Sequence, residues 1–169
     1  MKKKVTLKQC SAENCFVCGV KNQMGFRTRF YELEGGTVAG LTSALPQHQS
    51  YPGRVHGGAI AALLDEAMGR AVQIGDENAW GVTAEMTTRY KKPVPYGVPL
   101  LVLGRLTERN RLMFSGEGCI VLPDGTIAVT AKAKYVKMTL SRISDFEGDS
   151  WQRYPAPDDP VEIEVPDHW

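Results

Sequence analysis

No stretch of this sequence approaches the ~20 consecutive apolar residues that a membrane-spanning helix needs. The lysines at positions 2–4 are followed by no apolar run, so the N-terminus does not resemble a secretory signal and the expected location is the cytoplasm. The chain also lacks an excess of charge of either sign: its net charge is +1, which argues against nucleic acid as a partner. We therefore expect a protein that binds neither membranes nor nucleic acids.

Two frequent catalytic or nucleotide-binding motifs are absent as well. No Gly-x-Ser-x-Gly element occurs, and three histidines (His48, His56 and His168) leave little scope for a serine triad. No glycine-rich phosphate loop is present either. The 169 residues, of which 43% are hydrophobic, suffice for one domain with a sizeable core.

Cysteine is scarce, with four residues, two of which form a Cys-x-x-Cys pair at Cys15 and Cys18. Such a pair can be half of a zinc site or a redox motif, but no second pair exists and no βαβ unit follows. The favoured alternative is a buried, reduced turn in which Phe16 and Val17 form an apolar plug between the thiols. We therefore expect neither a metal nor a bound cofactor.

Periodicity of the apolar residues predicts an α+β fold with one long helix. Apolar residues at steps of three and four predict this helix over about 58–74. Runs with strand character precede and follow it, at 25–33, 37–45, 80–92, 100–108, 112–122 and 127–138. An antiparallel sheet of about six strands wrapped around the central helix is the economical arrangement, and its edge would favour pairing with a second chain.

Composition divides the chain into three parts. Residues 1–22 form an N-terminal segment with the Cys-x-x-Cys turn, and residues 23–140 form the central domain. Residues 141–169, rich in proline and acidic side chains, are predicted to be an extended or partly disordered tail, with Trp151 and Trp169 as candidate anchors.

The strongest functional signal lies between His56 and Gly69. Gly57 and Gly58 open the helix, where backbone N–H groups lack intrahelical partners and can bind a carbonyl oxygen or an anion. Asp65 lies deep in the helix among small side chains and has no neighbouring cation, so it is a candidate base or nucleophile. The combination suggests acyl chemistry without a serine or cysteine nucleophile.

Two neighbours of these residues have simpler interpretations. Glu66 is followed four positions later by Arg70, so a surface ion pair explains it. His56 either packs in front of the helix or hydrogen-bonds near a substrate carbonyl, and an orienting role is favoured over that of principal base.

The spacing of the two main candidates restricts how they can cooperate. Gly57 and Asp65 are eight residues apart, which is about 12 Å along a helix. The amide and the carboxylate of one chain therefore cannot reach the same carbonyl carbon. If both act, Asp65 comes from a second chain, and the protein is an obligate homodimer with two sites at its interface.

Three blocks in order resemble the hotdog-fold thioesterases, in particular the PaaI-type acyl-CoA thioesterase branch. The segment from His56 to Gly69 resembles the His-Gly-Gly helix of that family, with Asp65 at its acidic position. Residues 81–83 and 90–93 resemble the following strand, and residues 15–19, with Asn22 and Gly25, resemble an N-terminal element. The resemblance implies a hotdog fold, dimers or dimers of dimers, and hydrolysis of an acyl-CoA.

The resemblance also implies roles for individual residues. The Gly57 amide would polarise the thioester carbonyl, and Asp65 of the partner subunit would activate water or attack directly. Thr83 matches a hydroxyl position that can orient the water or the carboxylate, although a strand threonine is common. Ser50 stands where some members have an asparagine, and Gln47 or His48 could replace that contact.

Substrate binding would involve basic residues for the phosphates of coenzyme A and an acyl pocket near Tyr51 and Met86. The predicted substrate-binding residues are Gly58, Ser50, Arg54, Glu66, Met86, Arg89, Lys91 and Lys92. Two other functions stay open on the same fold. One is a non-catalytic acyl-CoA-binding protein, which needs no Asp65; the other is a hydratase or dehydratase with a different acid–base pair.

Overall fold

One antiparallel sheet curls around one helix in the computed structural model, which describes residues 1–144, 151–167 and 169. The order of the strands across the sheet is β4-β7-β6-β5-β3-β2-β1-β8. The strands are β1 (Lys2–Lys8), β2 (Arg29–Leu33), β3 (Thr37–Ser43), β4 (Trp80–Tyr90), β5 (Pro99–Arg109), β6 (Met113–Val121), β7 (Ile127–Met138) and β8 (Glu162–Glu164). The helices are α1 (Gly57–Arg70) and the single turn α2 (Leu140–Ile143).

Helix α1 packs its apolar stripe into the concave face of the sheet, as its periodicity predicts. Every member of that stripe is buried: Ile60, Leu63, Leu64, Ala67, Met68 and Ala71. The backbones come very close, since a Cβ atom on Gly104 of β5 would lie 2.3 Å from the Ala67 carbonyl oxygen. Glycine at position 104 therefore sets how deeply the helix lies in the sheet.

The predicted helix and strands are confirmed; most ends move by one or two residues, and two ends move by four. The α-helix ends at Arg70, and residues 71–73 continue as a 3₁₀ turn instead of reaching residue 74. The second strand begins at Arg29 rather than at residue 25, because the N–H groups of Phe26 and Thr28 donate to the carbonyls of Phe16 and Val17. The Cys-x-x-Cys segment thus occupies the place of a neighbouring strand.

The sheet has eight strands rather than about six, because both ends of the chain join it. Strand β1 pairs with β2 and with β8, which places Lys2 opposite Glu164 and Lys4 opposite Glu162. Opposite charges across neighbouring strands stabilise a pair only once the two segments meet. The lysine-rich start and the glutamate-rich end therefore show little strand signal when each is considered alone.

The tail packs on the body of the protein over residues 151–167. Ile163 and Val165 are buried against Tyr31 and Leu103 on the outer face of the sheet. The two candidate anchors both make contacts: Trp151 packs edge-to-face on Trp80 with 5.0 Å between ring centroids, and Trp169 joins the outer cluster. Residues 145–150 of the predicted tail, and His168, lie outside the described residues. No helix in the described ranges is long and apolar enough to cross a membrane.

Candidate active site

The start of α1 is held by its own cap and by strand β4. His56 is the N-cap, and its Nδ1 accepts a hydrogen bond from the Gly58 N–H at 2.9 Å. The Tyr90 hydroxyl donates to the Gly57 carbonyl at 2.7 Å. As the first helical residue, Gly57 has no intrahelical acceptor for its own N–H group. This amide is therefore available to a ligand, and its predicted role in binding a carbonyl oxygen stays a prediction.

The capping bond also defines what His56 can do. Because Nδ1 accepts from Gly58, the neutral imidazole carries its proton on Nε2. The ring is exposed at the helix start. This geometry is compatible with the predicted orienting role, since removing a proton with Nδ1 would require the cap to break.

Asp65 is held by two hydroxyl groups from neighbouring strands. The Thr83 hydroxyl donates to both carboxylate oxygens, at 2.8 and 3.1 Å. The Tyr135 hydroxyl shares its proton between Oδ1, at 3.1 Å, and the Asp65 backbone carbonyl, at 3.0 Å. Thr83 and Tyr135 lie directly opposite each other in the pairing of β4 with β7, and a bulge in β4 follows Thr83. Bulges re-aim side chains and are frequent beside active sites.

Tyr135 is a site residue that the sequence analysis missed. Its ring is buried, and this burial, reinforced by the Asp65 carboxylate, raises the pKa of Tyr135 well above its usual range. The phenol therefore stays protonated and remains a donor to Asp65. The available signal was the inward alternation of Ala131, Ala133 and Tyr135, in which a large hydroxyl-bearing ring follows two alanines.

A small cavity of about 120 Å³ adjoins Asp65 and is bordered by Thr83, Tyr135 and the Trp80–Trp151 pair. Trp80 and Trp151 also line a larger cavity, of about 580 Å³, on the other side of that pair. Glu66, Arg70 and Gln73 also border this small cavity, so the Asp65 carboxylate lies beside a mixed polar and aromatic surface.

The sequence predicts a surface ion pair between Glu66 and Arg70, but in the structure this pair does not lie on the surface. Arg70 is only 4% exposed, and its Nε donates to Glu66 at 2.9 Å. The guanidinium stacks on the Phe30 ring and lies near the Trp151 ring, with 4.5 and 5.4 Å to the centroids. Helical spacing predicts the pair, but the sheet and the tail, which bury it, are remote in sequence.

Glu66 borders the same small cavity as Asp65 and also faces the Cys-x-x-Cys turn. The Cys15 and Cys18 sulfurs and a Glu66 carboxylate oxygen all lie within 4.8 Å of one another. Cys15 is half-buried and Cys18 is buried, and neither forms a disulfide. A hydrogen bond from the Cys18 thiol lowers the pKa of Cys15 to about 7, and the same contact, with burial, raises the pKa of Cys18. Val17 is buried here, as the plug interpretation expects, whereas Phe16 is 43% exposed.

The loop before α1 contains the predicted Ser50 and Arg54. Both are exposed, and the Ser50 N–H donates to the Arg54 carbonyl at 2.9 Å, which closes a turn. His48 cannot substitute for an active-site amide, because it is buried, its Nδ1 accepts from the Leu45 N–H and its Nε2 contacts the Met24 carbonyl. Gln47 is exposed, and its side chain donates to the Gln23 carbonyl.

The other predicted substrate-binding residues lie along and after β4. Met86 is half-buried and packs against the core, which agrees with a place beside an acyl pocket. Arg89 and Lys91 line one groove of about 560 Å³, together with Lys132 and Trp169. Lys92 is exposed and does not border this groove, and Arg54 lies apart, opposite Pro95. Two of the four predicted basic residues are thus brought together, and their part in binding stays a prediction.

The comparisons with known proteins agree with this architecture. Residues 52–129 match the family model of the thioesterase superfamily. The chain is 30% identical to the mouse acyl-coenzyme A thioesterase THEM4 over 133 residues, covering 77% of this chain and 56% of that protein. Among solved structures, the thioesterase superfamily protein RHA08564 is 32% identical, with a TM-score of 0.67, over 72% of this chain and 59% of that one. The chain thus spans rather less than two thirds of these relatives.

More distant structures share the fold. The protein smu.793 from Streptococcus mutans, solved bound to acetyl CoA, is 21% identical with a TM-score of 0.60, over 66% of this chain and 89% of that one. The PaaI protein of the Escherichia coli phenylacetic acid degradation operon is 15% identical with the same TM-score, over 67% of this chain and 80% of that one. At these identities the similarity establishes the hotdog fold alone.

Proposed function

We propose that the chain is a hotdog-fold thioesterase that hydrolyses an acyl-CoA thioester to the free acid and coenzyme A. The match of residues 52–129 to the thioesterase superfamily model and the likeness to RHA08564 support this proposal. The observation that carries the proposal is that two hydroxyl groups hold the Asp65 carboxylate on the same helix whose first residue, Gly57, has an amide without an intrahelical acceptor. In this reaction the Gly57 N–H donates to the thioester oxygen as negative charge develops there. Asp65 activates a water molecule or attacks the carbonyl carbon itself.

We further propose that each site is shared between two copies of the chain. Strand β4 is an edge of the sheet, is 11 residues long, and exposes Thr83 and Tyr90. Thr83 holds Asp65, and Tyr90 holds Gly57. If two β4 strands pair antiparallel about a two-fold axis near Met86, Thr83 lies opposite Tyr90 of the partner subunit. That pairing brings the carboxylate of one subunit towards the helix start of the other.

As part of the same proposal, we assign the chain to the PaaI-type branch. The hydrolysis then needs no cofactor besides the coenzyme A part of the substrate. Of the basic residues, Arg89 and Lys91 are the best placed to contact coenzyme A phosphates, because they share one groove. Dimers of dimers are compatible with this arrangement, since it uses only the β4 edge.

The proposed activity is tested by incubating the protein with aromatic, short-chain and long-chain acyl-CoA substrates and measuring free thiol. We expect release from at least one class at rates well above the enzyme-free rate, because the site stabilises the developing oxyanion. Equilibrium binding of the same substrates is the control. Tight binding without any turnover would favour the non-catalytic acyl-CoA-binding function instead.

The shared site is tested with a heterodimer of two impaired variants, Asp65→Asn and Gly57→Pro, co-expressed with different affinity tags and purified on both. One of its two sites then combines an intact Gly57 with an intact Asp65 from the other subunit. We expect about half of the wild-type activity, while each parental homodimer stays near background. If each site lay within one chain, the heterodimer would be as inactive as its parents.

A further inference from the structure

The Cys-x-x-Cys turn and the outer side of α1 converge on a second cluster that the hydrolysis does not use. Cys15 and Cys18 belong to the N-terminal segment, whereas Glu66 lies about 50 residues further along the chain, one position after Asp65. All three ligand atoms lie within 4.8 Å of one another. We propose that Cys15, Cys18 and Glu66 form a binding site for a thiolate-seeking divalent cation, with zinc as the expected ion.

The spacing of the three ligand atoms suits such an ion. A tetrahedral zinc with Zn–S bonds of about 2.3 Å and Zn–O bonds of about 2.1 Å separates its ligand atoms by roughly 3.6–3.8 Å. Starting from separations of at most 4.8 Å, side-chain movements of about 1 Å complete the site. Three protein ligands leave the fourth position for a water molecule. Two sulfur ligands favour zinc over magnesium or calcium, which prefer oxygen.

The turn is built to hold its sulfurs in place. The Cys15 sulfur accepts hydrogen bonds from the N–H groups of Val17 at 3.3 Å and Cys18 at 3.4 Å. A Cβ atom on Gly19 would lie 2.3 Å from the Cys15 carbonyl oxygen, so the turn closes this tightly only with glycine there. Outer hydrogen bonds of this kind orient metal ligands and stabilise the thiolate form. The bonds from Phe26 and Thr28 fasten the same turn to the start of β2.

The charge around the cluster also fits a bound cation. With both thiols deprotonated, the two sulfurs and Glu66 carry three negative charges, of which a zinc ion compensates two. The buried Arg70 guanidinium, paired with Glu66, compensates the third, so the filled cluster is neutral. Within the described ranges, the Arg70 Nη2 atom is a buried donor with no hydrogen-bond partner.

A disulfide between Cys15 and Cys18 is the competing use of the same thiols. It would engage the two sulfurs and remove their thiolate charges, but it would give Glu66 no role beyond its pair with Arg70. The convergence of a carboxylate with both sulfurs therefore favours the metal site, and it places the ion between the N-terminal turn and the helix that carries Asp65.

The test is metal binding by the reduced, chelator-treated protein, titrated first with Co²⁺ and then with Zn²⁺. We expect about one ion per chain, with thiolate-to-cobalt charge-transfer absorption that zinc abolishes by displacing the cobalt. Cys15→Ser and Cys18→Ser should weaken binding by about 100-fold or more, and Glu66→Gln by about 10- to 100-fold. Zinc should raise the melting temperature of the wild type and leave that of Cys15→Ser unchanged.

Cys10→Ser is the matched control, because Cys10 is a half-buried thiol outside the cluster and should leave metal affinity unchanged. If Cys18→Ser does not fold, as judged by circular dichroism, the half-buried Cys15 and Glu66 variants decide the question. Substoichiometric metal under reducing conditions, or equal affinity in wild type and Cys15→Ser, would overturn the proposal. None of these readouts depends on thioester hydrolysis, so the two proposals can fail separately.

Discussion

Replacing Asp65 by asparagine is expected to lower kcat for acyl-CoA hydrolysis by about 10²- to 10⁴-fold, the usual range for loss of a proton-transfer group. The amide oxygen of asparagine can still accept the hydrogen bonds that Thr83 and Tyr135 donate to the carboxylate. The variant therefore keeps the local geometry and loses only the charge and basicity. Thiol release at saturating substrate measures the effect, and thermal melting confirms the fold.

Asp76→Asn is a suitable control for this variant. Asp76 is exposed just beyond the end of the helical segment, and its carboxylate accepts only a local bond from the Asn78 N–H within the described hydrogen bonds. The same chemical change there should leave kcat within a factor of about two, as expected for a surface site. An Asp65→Asn enzyme that retains full activity would exclude the carboxylate from the reaction, whether as base or as nucleophile.

Replacing Gly57 by proline is expected to lower kcat by about 10²- to 10³-fold, because proline removes the one N–H group assigned to the thioester oxygen. The fold should tolerate this change. Gly57 is the first residue of α1, where proline is favoured, and His56, with φ −61° and ψ 135°, is extended rather than helical, as a residue before proline should be. The cap bond from the Gly58 N–H to His56 is retained.

Gly57→Ala provides the matched comparison. It adds a Cβ atom, as proline does, but keeps the amide hydrogen. That Cβ would lie 3.5 Å from the Tyr90 hydroxyl, an ordinary van der Waals contact. The ratio of the alanine to the proline variant therefore isolates the contribution of the N–H group. Equal activity of the two variants would show that the amide does not stabilise the transition state.

The sequence predicts those elements of the fold whose residue pattern lies within one continuous segment. The stripe from Ile60 to Ala71 predicts both the helix and its buried face, because helical periodicity needs no information from elsewhere. Strands β1 and β8 were missed since their stability depends on each other, across almost the whole length of the chain. The same reason applies to Arg70, whose pairing is local but whose burial depends on Phe30 and on Trp151 in the tail.

The same difference between local and long-range features decides which residues of the candidate site could be predicted from the sequence. Gly57 and Asp65 could be identified because a helix start and an unpaired helical carboxylate are visible in one segment. Tyr135 could not, because its role depends on standing opposite Thr83 across two strands that are 52 residues apart in sequence. Likewise, no residue near the Cys-x-x-Cys pair in the sequence indicates a third ligand. Only the folded chain brings Glu66 to it.

The two edges of the sheet differ in length and charge, and this difference limits how copies of the chain can associate. One edge is the eleven-residue β4, whereas the other is the three-residue β8, which exposes Glu162 and Glu164. Short, charged edge strands resist the addition of further strands. If two β4 edges join as proposed, the ends of the combined sheet are formed by the acidic β8 and by the part of β1 that β8 does not cover. Addition of a further strand along β8 is therefore disfavoured, which limits growth of the sheet into filaments.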